Sequence, residues 1–289
     1  MPGSPRLELH APARLTLGLA VTARRGDGFH ELHTIFAKLQ LADVLTVRPA
    51  NGFSLETESA PGLPGGDDGE AARELILRAA ALFAGHADCP GAHFHLVRNV
   101  PAAAGLAGAA SGAAAALLLL ARLCPGGAEG LDLNVLAAEL GSDVPFFLNE
   151  ARAALGRGRG EKLSALELPE RHVVLVHPGG AVAGWDAYAW LQNFSRRLPV
   201  ERIVSALATD GEPRLQNALQ SGVVLKLPVV RDAIMALRDL GLRGVLMSGS
   251  GPACFGLAGS SEEAEAAAAQ LHDLHPDWWV HTDRIGGSG

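Results

Sequence analysis

A run of small residues between a predicted strand and a predicted helix is the first candidate for binding chemistry. Residues 101–112 read PAAAGLAGAASG. Small side chains let backbone N–H groups approach a phosphate, and the start of the following helix favours an anion. A tight strand–helix turn in an alanine-rich core would have the same composition. A phosphate loop and a packing turn therefore both remain open for this segment.

A carboxylate just beyond a second predicted helix is the next candidate. Asp143 lies in LGSDVPFFL, between that helix and an apolar run. A carboxylate held at the edge of a core can accept a proton from a substrate hydroxyl. An aspartate in this place is also typical of a turn or a cap, and from the residue alone a turn or a cap is the favoured interpretation.

The third candidate is RRGDGFHELH at residues 24–33, beside a turn that GDG predicts at 26–28. Phe29, His30 and two guanidinium groups could stack on a base or sugar and bind a phosphate. A solvated hairpin is the favoured interpretation of the segment when it is taken alone. The HELH spacing does not match H-E-x-x-H, which excludes a zinc protease.

The glycine-rich segments 156–164 and 248–252 match neither a Walker loop nor a dinucleotide fingerprint.

The elements that must position these residues follow from apolar spacing. Before residue 160 the pattern predicts strands at 15–21, 43–48, 53–57 and 92–98, and helices at 70–84, 108–123 and up to 140, the last capped by Asp132. After residue 160 it predicts strands at 172–177, 243–247, 253–258 and 278–284, and helices at 184–194, 200–208, 229–240 and 261–272. Strands and helices do not alternate as in a doubly wound sheet. We place a boundary near residues 155–165.

Composition excludes several classes of protein. The 289 residues are 48% hydrophobic and 19% charged, which is unlike a disordered chain. A net charge of −7 argues against a nucleic-acid-binding face. No apolar run approaches the roughly 20 residues that cross a bilayer, and MPGSPRLELH is unlike a signal peptide. We therefore expect a cytoplasmic protein that binds neither nucleic acid nor membrane.

Taken in order, these segments resemble the GHMP kinase superfamily, and most closely its 4-diphosphocytidyl-2-C-methyl-D-erythritol kinase branch. The matching segments are APARLTL at 11–17, RGDGFHEL at 25–32, PAAAGLAGAASG at 101–112, LGSDVPFF at 140–147 and MSGSGP at 247–252, with QNAL at 216–219 where the family has N-D-L. DGFHEL together with DVPFF is characteristic of the cytidyl branch.

The resemblance implies an α+β fold of two domains. Residues 1–160 would form an N-terminal domain like the second domain of ribosomal protein S5, with the ATP loop and the catalytic aspartate. Residues 161–289 would form a ferredoxin-like C-terminal domain. The implied activity is ATP-dependent phosphorylation of the 2-hydroxyl of 4-diphosphocytidyl-2-C-methyl-D-erythritol in the non-mevalonate pathway to isoprenoid precursors.

The resemblance also implies roles for individual residues. Asp143 would be the catalytic base and contact substrate, Arg14 would replace the catalytic lysine, and Thr16, Phe29 and His30 would bind substrate. The ATP phosphates would lie on Pro101, Ala102, Ala103, Ala104, Gly105, Leu106, Ala107, Gly108, Ala109, Ala110 and Ser111. Mg²⁺ would arrive with ATP, with Ser111 as a candidate ligand.

The chain departs from the family's pattern within these sites. Arg14 occupies the position of the family's lysine, in a chain where only three of the 24 basic residues are lysines. Thr16 occupies the position of the family's asparagine. Ala107 and Ala109 stand for glycines, and we expect alanine to be tolerated there only at negative φ.

Two alternatives to the cytidyl kinase follow from the same segments. One is another small-molecule GHMP kinase, acting on homoserine or mevalonate. The other, motivated by the altered loop, is a non-catalytic GHMP-fold protein that binds a metabolite. Under each of these interpretations the partner is a small molecule, and the chain is a monomer or a homodimer.

Overall fold

The computed structural model describes residues 6–64, 69–209 and 211–287. The strands are β1 (Leu7–Arg24), β2 (His30–Pro49), β3 (Gly52–Ser59), β4 (Gly91–Arg98), β5 (Ala153–Gly158), β6 (Lys162–Ala165), β7 (Arg171–His177), β8 (Arg243–Met247), β9 (Cys254–Ala258) and β10 (Trp279–Ile285). The helices are α1 (Glu70–Ala84), α2 (Gly108–Leu123), α3 (Leu133–Leu140), α4 (Val144–Leu148), α5 (Gly184–Ala189), α6 (Val200–Ala208), α7 (Gln220–Lys226), α8 (Val229–Asp239) and α9 (Ser261–Leu274).

The chain divides into two compact units whose segments are interleaved. The first unit holds the described residues of Met1–Ala13, Leu41–Ala102 and Ala107–Glu150; the second holds those of Arg14–Gln40, Ala103–Leu106 and Ala151–Gly289. Strands β1 and β2 therefore contribute residues to both units. A domain boundary at residue 160 stays a prediction.

In the first unit, β4 pairs in parallel with β3 and antiparallel with the Val44–Pro49 part of β2. Helices α1 and α2 pack against each other. The predicted helices at 70–84 and 108–123 are confirmed. Alanine and leucine make α2 apolar on almost every face, and such a helix is stable only when it is buried. Most of its side chains are indeed buried, from Ser111 to Leu120.

Helix α3 begins at the cap that its sequence predicts. The Asp132 carboxylate accepts a hydrogen bond from the Asn134 N–H at 2.9 Å, which satisfies one of the donors that a helix start leaves unpaired. Helix α4, which follows Asp143, escapes sequence analysis because five residues are too few to show a helical period. It packs against α2 and α3.

In the second unit, the Leu32–Ala37 part of β2 pairs antiparallel with β5, and β5 pairs with β6. The glycine-rich segment at 156–160, close to the predicted boundary, is thus part of a paired hairpin. Gly158 has a φ of +70° there, a conformation that favours glycine.

The second unit also contains a four-stranded sheet in the order β10-β7-β9-β8, with antiparallel neighbours. Helices α8 and α9 pack against its strands, and the core between them includes Val174, Val230 and Leu271. This strand order and helix placement are ferredoxin-like, and the predicted α+β class is confirmed. Among the described residues, no helix is long and apolar enough to cross a membrane.

Candidate functional site

The connection from β4 to the small-residue loop, residues 101–111, is held by a buried carboxylate in the first unit. Asp43 accepts hydrogen bonds from the backbone N–H groups of Asn99 and Val100, at 2.7 and 2.8 Å. Burial raises the pKa of Asp43, and the two N–H donors oppose that shift. Sequence analysis missed this residue because DVLTVR has the pattern of an ordinary strand.

The residue that precedes α2 has a strained backbone. Ala107 has a φ of 58° and a ψ of 29°, in the left-handed region, so the expectation that alanine replaces glycine only at negative φ is wrong at this position. A side chain in that region costs about 1–2 kcal/mol because its Cβ approaches the following carbonyl oxygen. Strain of this kind concentrates at functional sites.

Replacing Ala107 with glycine is expected to raise the free energy of unfolding by about 0.5–1 kcal/mol, since relief of strain exceeds the entropy that glycine adds to the unfolded chain. Denaturant unfolding would measure this change. Ala109→Gly is the matched control, because Ala109 lies inside α2, where glycine lowers stability. Equal effects of the two substitutions would contradict the assignment of strain to Ala107.

Ser111 carries a buried hydroxyl near the start of α2. The residue is 1% exposed, and its Oγ has no hydrogen-bond partner among the described residues. Leaving a buried hydroxyl unsatisfied costs about 1–3 kcal/mol. An oxygen ligand so placed suits a divalent cation or a phosphate at the helix start.

Asp143 directly precedes α4 and is half-buried. In the described part of the chain its carboxylate makes no capping hydrogen bond to α4, unlike Asp132 at the start of α3. Of the turn or cap that the sequence favours for Asp143, the turn is confirmed at residues 142–143, and the side-chain cap is not formed.

In the second unit, β1 supplies a buried cation. Arg14 is 6% exposed, and its guanidinium carbon lies 4.1 Å from the centre of the Phe36 ring. The Arg14 N–H donates to the Leu106 carbonyl at 2.8 Å, which connects β1 to the small-residue loop. A planar guanidinium group stacks on an aromatic ring, whereas an ammonium group does not. The contact with Phe36 therefore suits arginine better than lysine at this position.

Thr16 lies two residues along β1. Its side-chain Oγ1 is buried and has no hydrogen-bond partner within the described residues, while its backbone N–H donates to the Ser248 Oγ at 3.1 Å. This hydroxyl is a second unsatisfied oxygen that a ligand could use.

The β8–β9 turn, residues 248–253, packs against the small-residue loop inside this unit. Ser248 Oγ donates to the Gly105 carbonyl at 3.1 Å. Gly105 has a φ of +76°, and a Cβ on it would stand 2.1 Å from the Ser248 carbonyl oxygen. Glycine is required at this position for both reasons. Ser248 lies in the MSGSGP segment, but nothing in a local pattern links residues 143 positions apart, so sequence analysis missed its contact with Gly105.

The turn predicted at 26–28 is confirmed, and Arg25 shapes it. Arg25 forms ion pairs with Asp27 at 2.9 Å and Glu31 at 3.1 Å, so its guanidinium group is engaged within the turn. The Phe29 N–H donates to Asp27, and half of the Phe29 residue is exposed. The Arg159 guanidinium lies 4.8 Å from the centre of the Phe29 ring.

His30 stacks on Tyr188 at the end of α5, with ring centres 5.1 Å apart and an interplanar angle of 18°. Burial, followed by the charge of Arg24, lowers the pKa of His30. A neutral imidazole offers one donor and one acceptor at neutral pH, which suits recognition of a base. Tyr188 was missed because a lone tyrosine in a short helix carries no spacing signal.

The two units thus hold different groups. The first brings Asp143, Ser111 and the start of α2 into one packed set of helices. The second brings together Arg14, Thr16, Gly105 and Ser248, and separately pairs His30 with Tyr188. No group of three or more His, Cys, Asp or Glu in the described residues could hold a metal ion.

Comparison with known proteins gives concordant results. Residues 74–150 match the GHMP kinases N terminal domain, and residues 199–277 match the GHMP kinases C terminal family. Proteins named 4-diphosphocytidyl-2-C-methyl-D-erythritol kinase match along nearly the whole chain. The one from Deinococcus radiodurans is 43% identical over 98% of this chain and 94% of that protein; the one from Thermus thermophilus is 42% identical over 94% and 95%.

A crystal structure titled 4-(cytidine 5'-diphospho)-2C-methyl-D-erythritol kinase superposes with a TM-score of 0.84. It is 40% identical and covers 98% of this chain and 100% of its own. The chain therefore belongs to the GHMP kinases, in the 4-diphosphocytidyl-2-C-methyl-D-erythritol kinase family.

Proposed function

We propose that this chain transfers the γ-phosphoryl group of ATP to the 2-hydroxyl of 4-diphosphocytidyl-2-C-methyl-D-erythritol, in the non-mevalonate route to isoprenoid precursors. The observation that carries this proposal is the near-full-length likeness to kinases of that name. It supports the cytidyl substrate over a homoserine- or mevalonate-type kinase and over a non-catalytic binding protein.

Asp143 is proposed as the general base. The substrate oxygen bonds to the γ-phosphorus, the bond from that phosphorus to the leaving oxygen of ADP breaks, and the hydroxyl proton passes to the carboxylate. Its place directly before α4, on a half-buried residue, supports this role. The short helix after it packs on α2 and α3, which fixes the carboxylate's backbone.

Arg14 is proposed as the cation that neutralises charge on the transferred group. Its burial supports this role, since a guanidinium in a site of low dielectric interacts strongly with phosphate. Phosphoryl transfer depends chiefly on positioning and on neutralising charge. One buried cation with a backbone cradle therefore fits the reaction.

The small-residue loop is proposed to hold the ATP phosphates through backbone N–H groups. The required glycine at 105 and the start of α2 at Gly108 support this role. Mg²⁺ is proposed to arrive with ATP and to neutralise phosphate charge. The buried Ser111 Oγ, for which the described chain offers no partner, fits a ligand to that ion.

The cytidine end is proposed to lie on Phe29 and His30, with Thr16 contacting substrate nearer the reacting hydroxyl. The exposed face of Phe29 and the stacked pair of His30 and Tyr188 support recognition of a flat base. The lowered pKa of His30 supports neutral hydrogen bonding to that base. We further propose a cytoplasmic enzyme that acts as a monomer or a homodimer.

A coupled assay of ADP release tests the proposed function. Purified chain, ATP, Mg²⁺ and 4-diphosphocytidyl-2-C-methyl-D-erythritol are expected to release ADP, whereas homoserine and mevalonate in its place are expected to give only background. Binding of the cytidyl substrate without turnover would overturn the kinase proposal. Preferential turnover of homoserine or mevalonate would overturn the substrate.

A further inference from the structure

Asn217 carries a buried side-chain amide that has no role in the proposed reaction. Its Nδ2 donates to the carbonyl oxygens of Met247 and Gly249, at 2.8 and 2.7 Å. Its Oδ1 accepts from the Leu219 N–H at 3.0 Å. Both donors and the acceptor are thus engaged, which is how a buried amide fixes the backbone that it contacts.

The backbone that Asn217 fixes leads into the β8–β9 turn. Gln220, one helical turn further on, accepts from the Met247 N–H at 3.0 Å, so β8 ends between two side-chain amides. Within the turn, the Ser248 N–H donates to the Ala253 carbonyl, and the Gly251 N–H donates to the Ser248 carbonyl, both at 2.8 Å. Ser248 itself is fully buried.

The β8–β9 turn donates hydrogen bonds to two successive carbonyl groups of the small-residue loop. The Ala253 N–H donates to the Ala104 carbonyl at 3.2 Å, and the Ser248 Oγ donates to the Gly105 carbonyl at 3.1 Å. In a trans peptide the N–H points opposite to the carbonyl. The N–H groups of Gly105 and Leu106 therefore face away from the turn, as donors to a bound anion must.

We infer that Asn217 is a positioning residue for the small-residue loop: it fixes the β8–β9 turn, which orients the loop's N–H groups toward the ATP phosphates. This inference deepens the proposed function and rests on it. Asn217 acts through Ser248 and Ala253, so its effect is on nucleotide binding. The Asn217 backbone also forms a β-bridge with Leu19, so Asn217 contacts β1 as well as the end of β8.

Asn217→Asp is the sharpest test, because aspartate keeps the shape and the acceptor for Leu219 but removes both donors. We expect it to raise the Kd for the ATP analogue AMP-PNP, measured calorimetrically, about tenfold or more, with a much smaller change in KM for the cytidyl substrate. Asn134→Asp, at an exposed position at the start of α3, is the matched control and should leave both constants unchanged.

A double-mutant cycle tests the route through Ser248. If Asn217 acts through the turn, the effects of Asn217→Asp and Ser248→Ala on the Kd are non-additive. Ser248→Ala alone removes only one hydroxyl, and it is expected to weaken AMP-PNP binding even if Asn217→Asp fails to fold. Wild-type affinity in both single variants would overturn the inference, and so would additive effects. A wild-type chain that binds no AMP-PNP would instead overturn the proposed function, and this inference with it.

Discussion

Replacing Asp143 with asparagine is expected to lower kcat by a factor of about 10²–10⁴, the usual contribution of a general base. The amide is nearly isosteric with the carboxylate but cannot take the hydroxyl proton at neutral pH. Because the substitution leaves the volume unchanged, KM values for ATP and the cytidyl substrate should change little. Steady-state kinetics with ADP release as the readout would measure all three constants.

Asp132→Asn is the matched control for this prediction. Asp132 also precedes a helix, but its carboxylate caps α3 through Asn134. Its substitution should leave both stability and kcat nearly unchanged, because an asparagine oxygen caps a helix as well as an aspartate oxygen does. Asp143→Asn should differ from this control in its reduced kcat. A kcat for Asp143→Asn within threefold of wild type would contradict the assignment of the base.

Elements with a strong local signal were predictable from the sequence. Helix α2 occupies the predicted residues because alanine and leucine favour a helix and a Cys-Pro-Gly-Gly run ends it. The Asp132 cap was predictable for a similar local reason, since its side chain bonds two residues along the chain. The turn at 26–28 depends only on Gly26, Asp27 and Gly28.

Elements whose form depends on distant partners were not predictable. Most of β2 before residue 43 was missed because an apolar run such as TIFA at 34–37 lacks a period of two when both faces are covered. Helix α5 is shorter than the predicted 184–194, ending at Ala189 before a loop. Helix α7 was missed because seven residues show too little of a helical period.

The candidate site divides in the same way. Motifs in the sequence are enough to name four candidates, which are Asp143, Arg14, Phe29 and His30. Ser248 and Asn217 lie in quoted segments, but their contacts could not be predicted. The contact of Ser248 with Thr16 spans 232 positions, and the donors of Asn217 reach residues 30 and 32 positions away. The strain at Ala107 could not be read from composition, since an alanine there is equally consistent with an early helical turn.

Replacing Gly105 with alanine is expected to reduce kcat/KM for ATP by about 10²-fold or more. A Cβ at this position would stand 2.1 Å from the Ser248 carbonyl oxygen and 2.8 Å from the Gly251 nitrogen. Backbone atoms cannot rotate aside as a side chain can, so the loop itself must shift by about 1 Å. A displacement of that size at a site that depends on positioning can cost about 10²-fold in rate.

Gly241→Ala separates this displacement from the general cost of a left-handed alanine. Gly241 lies in the same unit with a φ of +78°, against +76° for Gly105. Apart from its chain neighbours, no atom of the described residues lies within 4 Å of its would-be Cβ. Both variants therefore bear a backbone cost of about 1–2 kcal/mol, which thermal unfolding would measure. Only Gly105→Ala should also lose affinity for AMP-PNP and kcat/KM for ATP. Equal kinetics in the two variants would show that nucleotide binding does not depend on how this turn holds the loop.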